Sequence, residues 1–305
     1  MMQEQNTRYS IPQTVARHRA RLKSMNVDGG RLTYVDEGPR DGQVILFVHG
    51  MPTNSWLWRK IIPVLAADGL RVIAPDLLGF GASDKPEDLN EYSLEKQAGR
   101  IINLMDKLGI NKWTQVAHDL GGPWTWEVID RASSRIQRLV ILNTSAYRDG
   151  FNPPAMIKMM GGPLGPFMLG LMSNSLIGPV MMSVFFKQFT GHAEVMDHDA
   201  VQGYWLPLHE GATRPFRQFA ASFPGLFAQF DRYQSAFRSL NIPAMIIWGR
   251  KDIVVNYDRL SKQFARDLRV PPERIHILDD ANHFLPEDKA PEIAGKIIRF
   301  VQETP

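Results

Sequence analysis

The chain of 305 residues contains no cysteine. That absence excludes disulfides, thiolate metal ligands and thiol nucleophiles, and it is compatible with a reducing cytosol, the location expected here. Nor is there a marked excess of one charge. Lys and Arg number 35 against 32 Asp and Glu, a formal net charge of +3. A nucleic-acid binder would show a clustered basic face. The densest basic run, Arg17, Arg19, Arg21 and Lys23, reads instead as a solvated helix face. The opening segment, MMQEQNTRYSIPQ, lacks the apolar core of a secretory signal. Charge is missing altogether from residues 159–186, between Lys158 and Lys187. That stretch is long enough to span a bilayer. However, Gly161, Gly162, Pro163, Gly165, Pro166, Gly170, Gly178 and Pro179 break it into short pieces. An apolar segment covering a pocket is expected there, and no membrane span.

Short apolar runs alternate with helical patterns, the signature of an α/β sheet with crossover helices. QVILFVHG (43–50), RVIAPD (71–76), WTQVAHD (113–119) and RLVILNT (138–144) read as buried strands. Helices are expected over 54–67, with Thr53 or Asn54 as cap, over 93–110, ending at Gly109, and over 124–132. The alternation lapses after residue 147. It resumes with a strand at 243–249, a helix near 256–268, a strand at 274–280 and a final helix near 290–302. The expected organisation is a core of residues 1–147 and 240–305, with an inserted helical cap at 148–239. The insert is rich in Met, Phe, Gly and Pro, as befits an apolar lid.

Ala117-His118-Asp119-Leu120-Gly121-Gly122 has the small-x-nucleophile-x-small-small pattern of a sharp strand-to-helix turn. Small neighbours let the backbones approach. The side chain at 119 then sits at a helix N-terminus, where backbone N–H groups favour negative charge. A carboxylate nucleophile forms an ester, and the ester needs water activated by a base. His283, after the last expected strand, is the candidate base. Asp252, after the preceding strand, is its candidate partner. The backbone N–H groups of Met51 and Leu120 are placed to form an oxyanion hole. Asp76-Leu-Leu-Gly-Phe-Gly-Ala-Ser-Asp-Lys-Pro reads as a scaffold turn. Nothing here calls for a metal or an organic cofactor.

On VHGMPTNSWLWR, DLLGFGASDKP, AHDLGG, WGRKD and DDANHF the chain resembles the α/β-hydrolase superfamily. More narrowly, it resembles the branch with an Asp nucleophile, the haloalkane dehalogenases and epoxide hydrolases. The resemblance covers nearly the whole chain. It implies a mostly parallel eight-stranded sheet flanked by helices, with an inserted cap. It also implies a cofactor-independent hydrolase acting on a small apolar substrate with water. By position, it carries the nucleophile to Asp119, the base to His283 and the acid partner to Asp252. Tyr204-Trp205-Leu206-Pro207 with Arg214 resembles a dehalogenase cap.

Dehalogenases usually hold the halide with an Asn after His-Gly and a Trp after the nucleophile. Met51 and Leu120 stand there instead, and neither side chain donates an N–H. By analogy with an oxyanion donor, each loss costs roughly 2.7–4 kcal/mol of transition-state stabilisation. Trp124, Trp126 and Trp205 are expected to pack rather than to replace them. An epoxide needs an acid for its oxygen, which relatives take from cap tyrosines. Phe216 or Phe219 occupies that late cap position, so Tyr204 becomes the leading candidate acid, ahead of Tyr147 and His209. The expected activity is therefore epoxide opening to a vicinal diol, with haloalkane dehalogenation as the alternative. A β-lactone decarboxylase, resembled at LVILNTSAY, and a binder that has lost catalysis stand behind these. Asn143 lies where some dehalogenases place the catalytic acid, and an amide cannot take that role. Substrate size, enantiopreference and oligomeric state are not specified by the sequence.

Overall fold

The computed structural model describes residues 11–154, 159, 160 and 162–304, without the side chains of residues 220, 221, 223 and 224. Most of the opening segment read above lies outside them. Eight strands form one sheet: β1 (Lys23–Val27), β2 (Gly30–Glu37), β3 (Val44–Val48), β4 (Arg71–Asp76), β5 (Trp113–His118), β6 (Ile136–Leu142), β7 (Ala244–Gly249) and β8 (Ile275–Leu278). Their order across the sheet is β1-β2-β4-β3-β5-β6-β7-β8. β1 and β2 pair antiparallel, as do β2 and β4, and every later pairing is parallel. Strands β4, β5 and β7 are buried at every position, as strands covered on both faces must be. This is the α/β-hydrolase fold that the sequence led us to expect.

The strand order reverses beside β3. In open α/β sheets, the crevice outside the carboxyl ends at such a reversal is where ligands bind. Val48 of β3 is in register with Ala117 of β5. The chain therefore leaves both strands side by side, with the loop 49–52 next to Asp119.

The helices of the core are α1 (Gln13–Arg21), α2 (Ile62–Ala67), α3 (Leu94–Lys107) and α4 (Gly121–Ala132). Between β6 and β7 lie α5 (Gly165–Ser173), α6 (Gly178–Phe189), α7 (His198–His209) and α8 (Arg214–Ser239). After β7 come α9 (Tyr257–Asp267), α10 (Leu285–Asp288) and α11 (Ala290–Glu303). Of the basic run near the N-terminus, Arg17, Arg19 and Arg21 lie on α1, whereas Lys23 opens β1 and pairs with Asp36. Arg19 pairs with Glu210 and Arg21 with Glu37. The charge-free stretch folds as α5 and α6, bent by 101°, and among the described residues no single helix is long and apolar enough to cross a membrane.

The expected helix over 54–67 is divided. A 3-10 turn at Ser55–Trp58 precedes the shorter α2. Asn54 caps the turn by accepting from Trp56 N. The Ser55 N–H donates to Asp76 Oδ1 at 2.8 Å, which ties the turn to the end of β4. Pro63 then lacks the N–H needed to carry the earlier turn onward. Asp76 also accepts from Thr33 Oγ1 and Ala82 N, so its loop is the scaffold turn read from the sequence.

Candidate active site

Asp119 leaves β5 in a left-handed conformation, with φ of 53°. A non-glycine residue rarely adopts it, and the surroundings hold it there. Its N–H donates to Asn143 O at 3.0 Å, and its carbonyl accepts from Gly122 N and from Thr144 Oγ1. The neighbouring glycines are required by space. A Cβ on Gly121 would lie 2.2 Å from Val48 O, and one on Gly50 would lie 2.1 Å from Asp119 Oδ1.

Three of the predicted residues form one hydrogen-bonded line. His283 Nε2 lies 3.2 Å from Asp119 Oδ2, and His283 Nδ1 lies 2.8 Å from Asp252 Oδ2. Both carboxylates accept, so each ring nitrogen of the charged imidazole donates. The Met51 N–H donates to Asp119 Oδ1 at 2.7 Å. The Leu120 N–H also acts on this carboxylate. The loop carrying Met51 is fixed by His49, whose buried Nε2 accepts from Leu77 N at 3.1 Å. Its Nδ1–H is therefore left to donate to Gly50 O.

The charges reinforce one another. Burial opposes ionisation of Asp119, but the His283 hydrogen bond and charge, with the Leu120 N–H, hold its pKa below the usual carboxylate value. Burial likewise opposes charge on His283. Asp252 and then Asp119 outweigh it and push the imidazole up to about 10. In the resting site the ring is an imidazolium between two carboxylates.

Some of the residues that build this site were given no role in it by the sequence. Asn143, at φ 31°, donates from Nδ2 to Asp252 Oδ2 at 2.6 Å and accepts from Gly249 N. The residue that cannot be an acid here orients one. The N–H groups of Val254 and Val255 hold the other oxygen of Asp252. His118, just before the turn, donates from Nε2 to His283 O at 2.8 Å. Burial lowers its pKa to about 4, so it stays neutral. A polar residue closing an apolar strand was the available clue to both Asn143 and His118.

Tyr204 is elsewhere. It is fully buried, stacked on Phe186, and its hydroxyl donates to Glu287 Oε1 at 2.5 Å. Arg59 pairs with the same carboxylate through both terminal nitrogens. Burial, followed by the Glu287 charge, raises the Tyr204 pKa well above the ordinary phenol value. The group expected as a cap acid is therefore occupied in holding α7 to the segment after His283. Tyr147 is equally engaged, donating to Asp267, and His209 contacts Ser173 O. Of the tryptophans, Trp126 donates to Ser145 O and Trp205 to Met172 O. Among the described residues the Trp124 indole N–H has no hydrogen-bond partner, and its ring packs on His49 and Phe80.

Above Asp119 is a small chamber walled mainly by Met51, Leu120, Phe151, Phe219, Phe230 and Val254. Its free volume is small, ≈ 30 Å³. The polar lining besides Asp119 is Thr144 and Ser145, whose hydroxyls are bonded to backbone carbonyls.

A family profile for the alpha/beta hydrolase fold matches residues 43–174. Haloalkane dehalogenase 2 of Mycobacterium tuberculosis is 31% identical over 274 residues, covering 88% of this chain and 91% of that one. A cis-3-alkyl-4-alkyloxetan-2-one decarboxylase of Shewanella oneidensis is 30% identical over 297 residues, covering 91% and 87%. The solved structure of the epoxide hydrolase CorEH superposes with a TM-score of 0.74 at 23% identity, over 92% of this chain and 98% of that one, a likeness of fold. The chain belongs to the α/β-hydrolase family, in its haloalkane-dehalogenase-like branch, and is an enzyme.

Proposed function

We propose that the chain opens an apolar electrophile by forming an alkyl ester on Asp119 and then hydrolyses that ester with water activated by His283. The observation that carries this is the line Asp119–His283–Asp252 together with the Met51 N–H at 2.7 Å from the Asp119 carboxylate. Asp119 Oδ2 attacks carbon and the leaving group departs with the bonding electrons. Esterification removes the negative charge on Asp119, one of the two charges that raise the His283 pKa. The imidazolium then gives up its proton to solvent more readily, and the neutral ring becomes the base that takes a proton from water. Water attacks Cγ of Asp119, and the oxyanion that develops on Oδ1 meets the Met51 and Leu120 N–H groups. Collapse releases the alcohol and restores the carboxylate.

The leaving group decides the substrate. An epoxide oxygen departs as an alkoxide and needs a proton. With Tyr204 bonded to Glu287, that preference loses the acid it leaned on. A halide needs no proton, and this favours a haloalkane, bromo or iodo rather than chloro since Met51 and Leu120 offer no side-chain donor.

A second reading has one specific observation behind it, a chamber wall that among the described residues offers no free side-chain donor. The carboxylate released when Asp119 opens a β-lactone at its ring C–O carbon needs neither proton nor halide cradle. Loss of CO2 from the ester would form the alkene and return the electron pair to Asp119, consuming no water.

A panel of 1-bromohexane, styrene oxide and a cis-3,4-dialkyloxetan-2-one separates these readings. Bromide and hexanol are expected from the first. Diol from styrene oxide alone would reinstate the epoxide, and CO2 with alkene from the lactone alone would establish decarboxylation. Specific binding of these compounds without turnover would leave the non-catalytic reading.

A further inference from the structure

The chamber above Asp119 is too small to hold a substrate body, yet a much larger apolar groove adjoins it. The groove has a volume of ≈ 670 Å³, within the range of small-molecule sites. Its walls are α6, through Val180, Val184 and Phe185, with Asn152 and Pro154 and the loop residues Ile253 and Val254. Among the described residues, no ionisable side chain lines it. Val180, Val184 and Ile253 are each more than 60% exposed, so the groove keeps apolar surface in water that the fold itself does not bury.

The groove is joined to the site at two points. Val254 lines both cavities, and its N–H holds Asp252. Phe189, at the end of α6 and in the groove wall, accepts through its carbonyl from the N–H of Phe284, next to His283. Phe151 lines the chamber and Asn152 the groove; Phe151 is bridged to Val255 and the Asn152 N–H donates to Val254 O.

We infer that this groove is a binding site for the linear alkyl tail of the substrate, while the reactive terminal carbon and its leaving group enter the chamber at Asp119. The inference rests on the proposed Asp119 chemistry for which end of the chain reacts, and on volume and surface for where the rest lies. Small free space at the carboxylate selects a slender end, and an uncharged apolar groove selects a saturated chain over a polar or charged one. Each methylene laid in the groove should raise affinity by about fourfold.

The direct test is binding, which needs no turnover. N-dodecyl and N-butyl dansylamide would be titrated by fluorescence against the intact wild-type chain and the variants Val184→Glu, Ile253→Glu and Leu176→Glu. All three positions are well exposed, so the fold should tolerate the changes, and melting curves would check this. Leu176 is outside the groove lining and serves as the control. The expected result is dodecyl binding far tighter than butyl, weakened at least about tenfold by either groove variant and unchanged in Leu176→Glu. Dodecyl binding no tighter than butyl, equal in all variants, or weakened as much by Leu176→Glu would overturn the proposal. In parallel, kcat/KM for 1-bromoalkanes should rise from butyl to dodecyl, and the groove variants should flatten that rise. Tight, groove-dependent dye binding with no ester on Asp119 would remove the proposed chemistry and leave the alkyl site standing.

Discussion

Asp119 and Tyr204 illustrate how one residue's neighbours assign its role. Asp119 is surrounded by donors and by an imidazolium, so its carboxylate is kept ionised and aimed. Tyr204 faces a buried carboxylate that takes its only proton as a hydrogen bond. Glu287 itself is held below the ordinary carboxylate pKa, against burial, chiefly by Arg59. A phenol bound in this way serves packing. Tyr204→Phe should therefore lower stability by about 1–3 kcal/mol, since one oxygen of Glu287 loses a buried partner. It should leave kcat within about threefold for any substrate the enzyme turns over. Urea unfolding and steady-state kinetics on the same preparation check both halves. A hundredfold loss of kcat on an epoxide at full stability would return Tyr204 to the role of acid.

At the scale of elements, the nucleophile turn depends on the contact between β3 and the start of α4. Gly121 passes so close to Val48 O that a side chain meets backbone, which cannot swing aside. Gly121→Ala should cost about 3 kcal/mol or more and displace Asp119 from the Met51 N–H. A melting temperature within a few degrees of wild type, with activity retained, would contradict that account. The turn was legible in the sequence because its small residues are consecutive. Strands β3 to β8 were legible for a similar reason, as short apolar runs each closed by a polar residue or a turn. The hairpin of β1 and β2 was not, since KSMNV is half exposed throughout and lacks an apolar run. Asp119, Asp252 and His283 could be named because each follows a strand. Their supports could not. The bonds from Asn143 to Asp252 and from His118 to His283 O join positions more than a hundred residues apart, and only the sheet order brings them together. The bond from Tyr204 to Glu287 was not legible either, because Glu287 becomes its neighbour only when α7 packs against α10.

Across the whole molecule, the imidazolium links the site to stability. In the unfolded chain the His283 pKa returns toward its ordinary 6.5, whereas in the fold it is about 10. A raised folded pKa adds stability that is fully present below pH 6.5 and is lost as pH rises through the folded value. Between about pH 6.5 and 10 the native state holds one proton that the unfolded state has released. Unfolding free energy should thus fall with pH across this window, with a slope of about one proton. The difference between wild type and His283→Gln should show the slope, because the variant has no group there to titrate. Urea midpoints at several pH values would measure it, and parallel curves for the two proteins would refute the charged resting ring.

The most direct test of the central claim is intact-mass analysis of His283→Gln after incubation with 1-bromohexane, followed by peptide mapping. Glutamine cannot activate water, so the ester should form and persist. The account predicts a hexyl adduct on Asp119, absent from Asp119→Asn verified by mass to have stayed an amide, with one bromide released per adduct. Turnover by the wild type without any adduct in the variant, or an adduct on another residue, would contradict the assignment of Asp119 and His283.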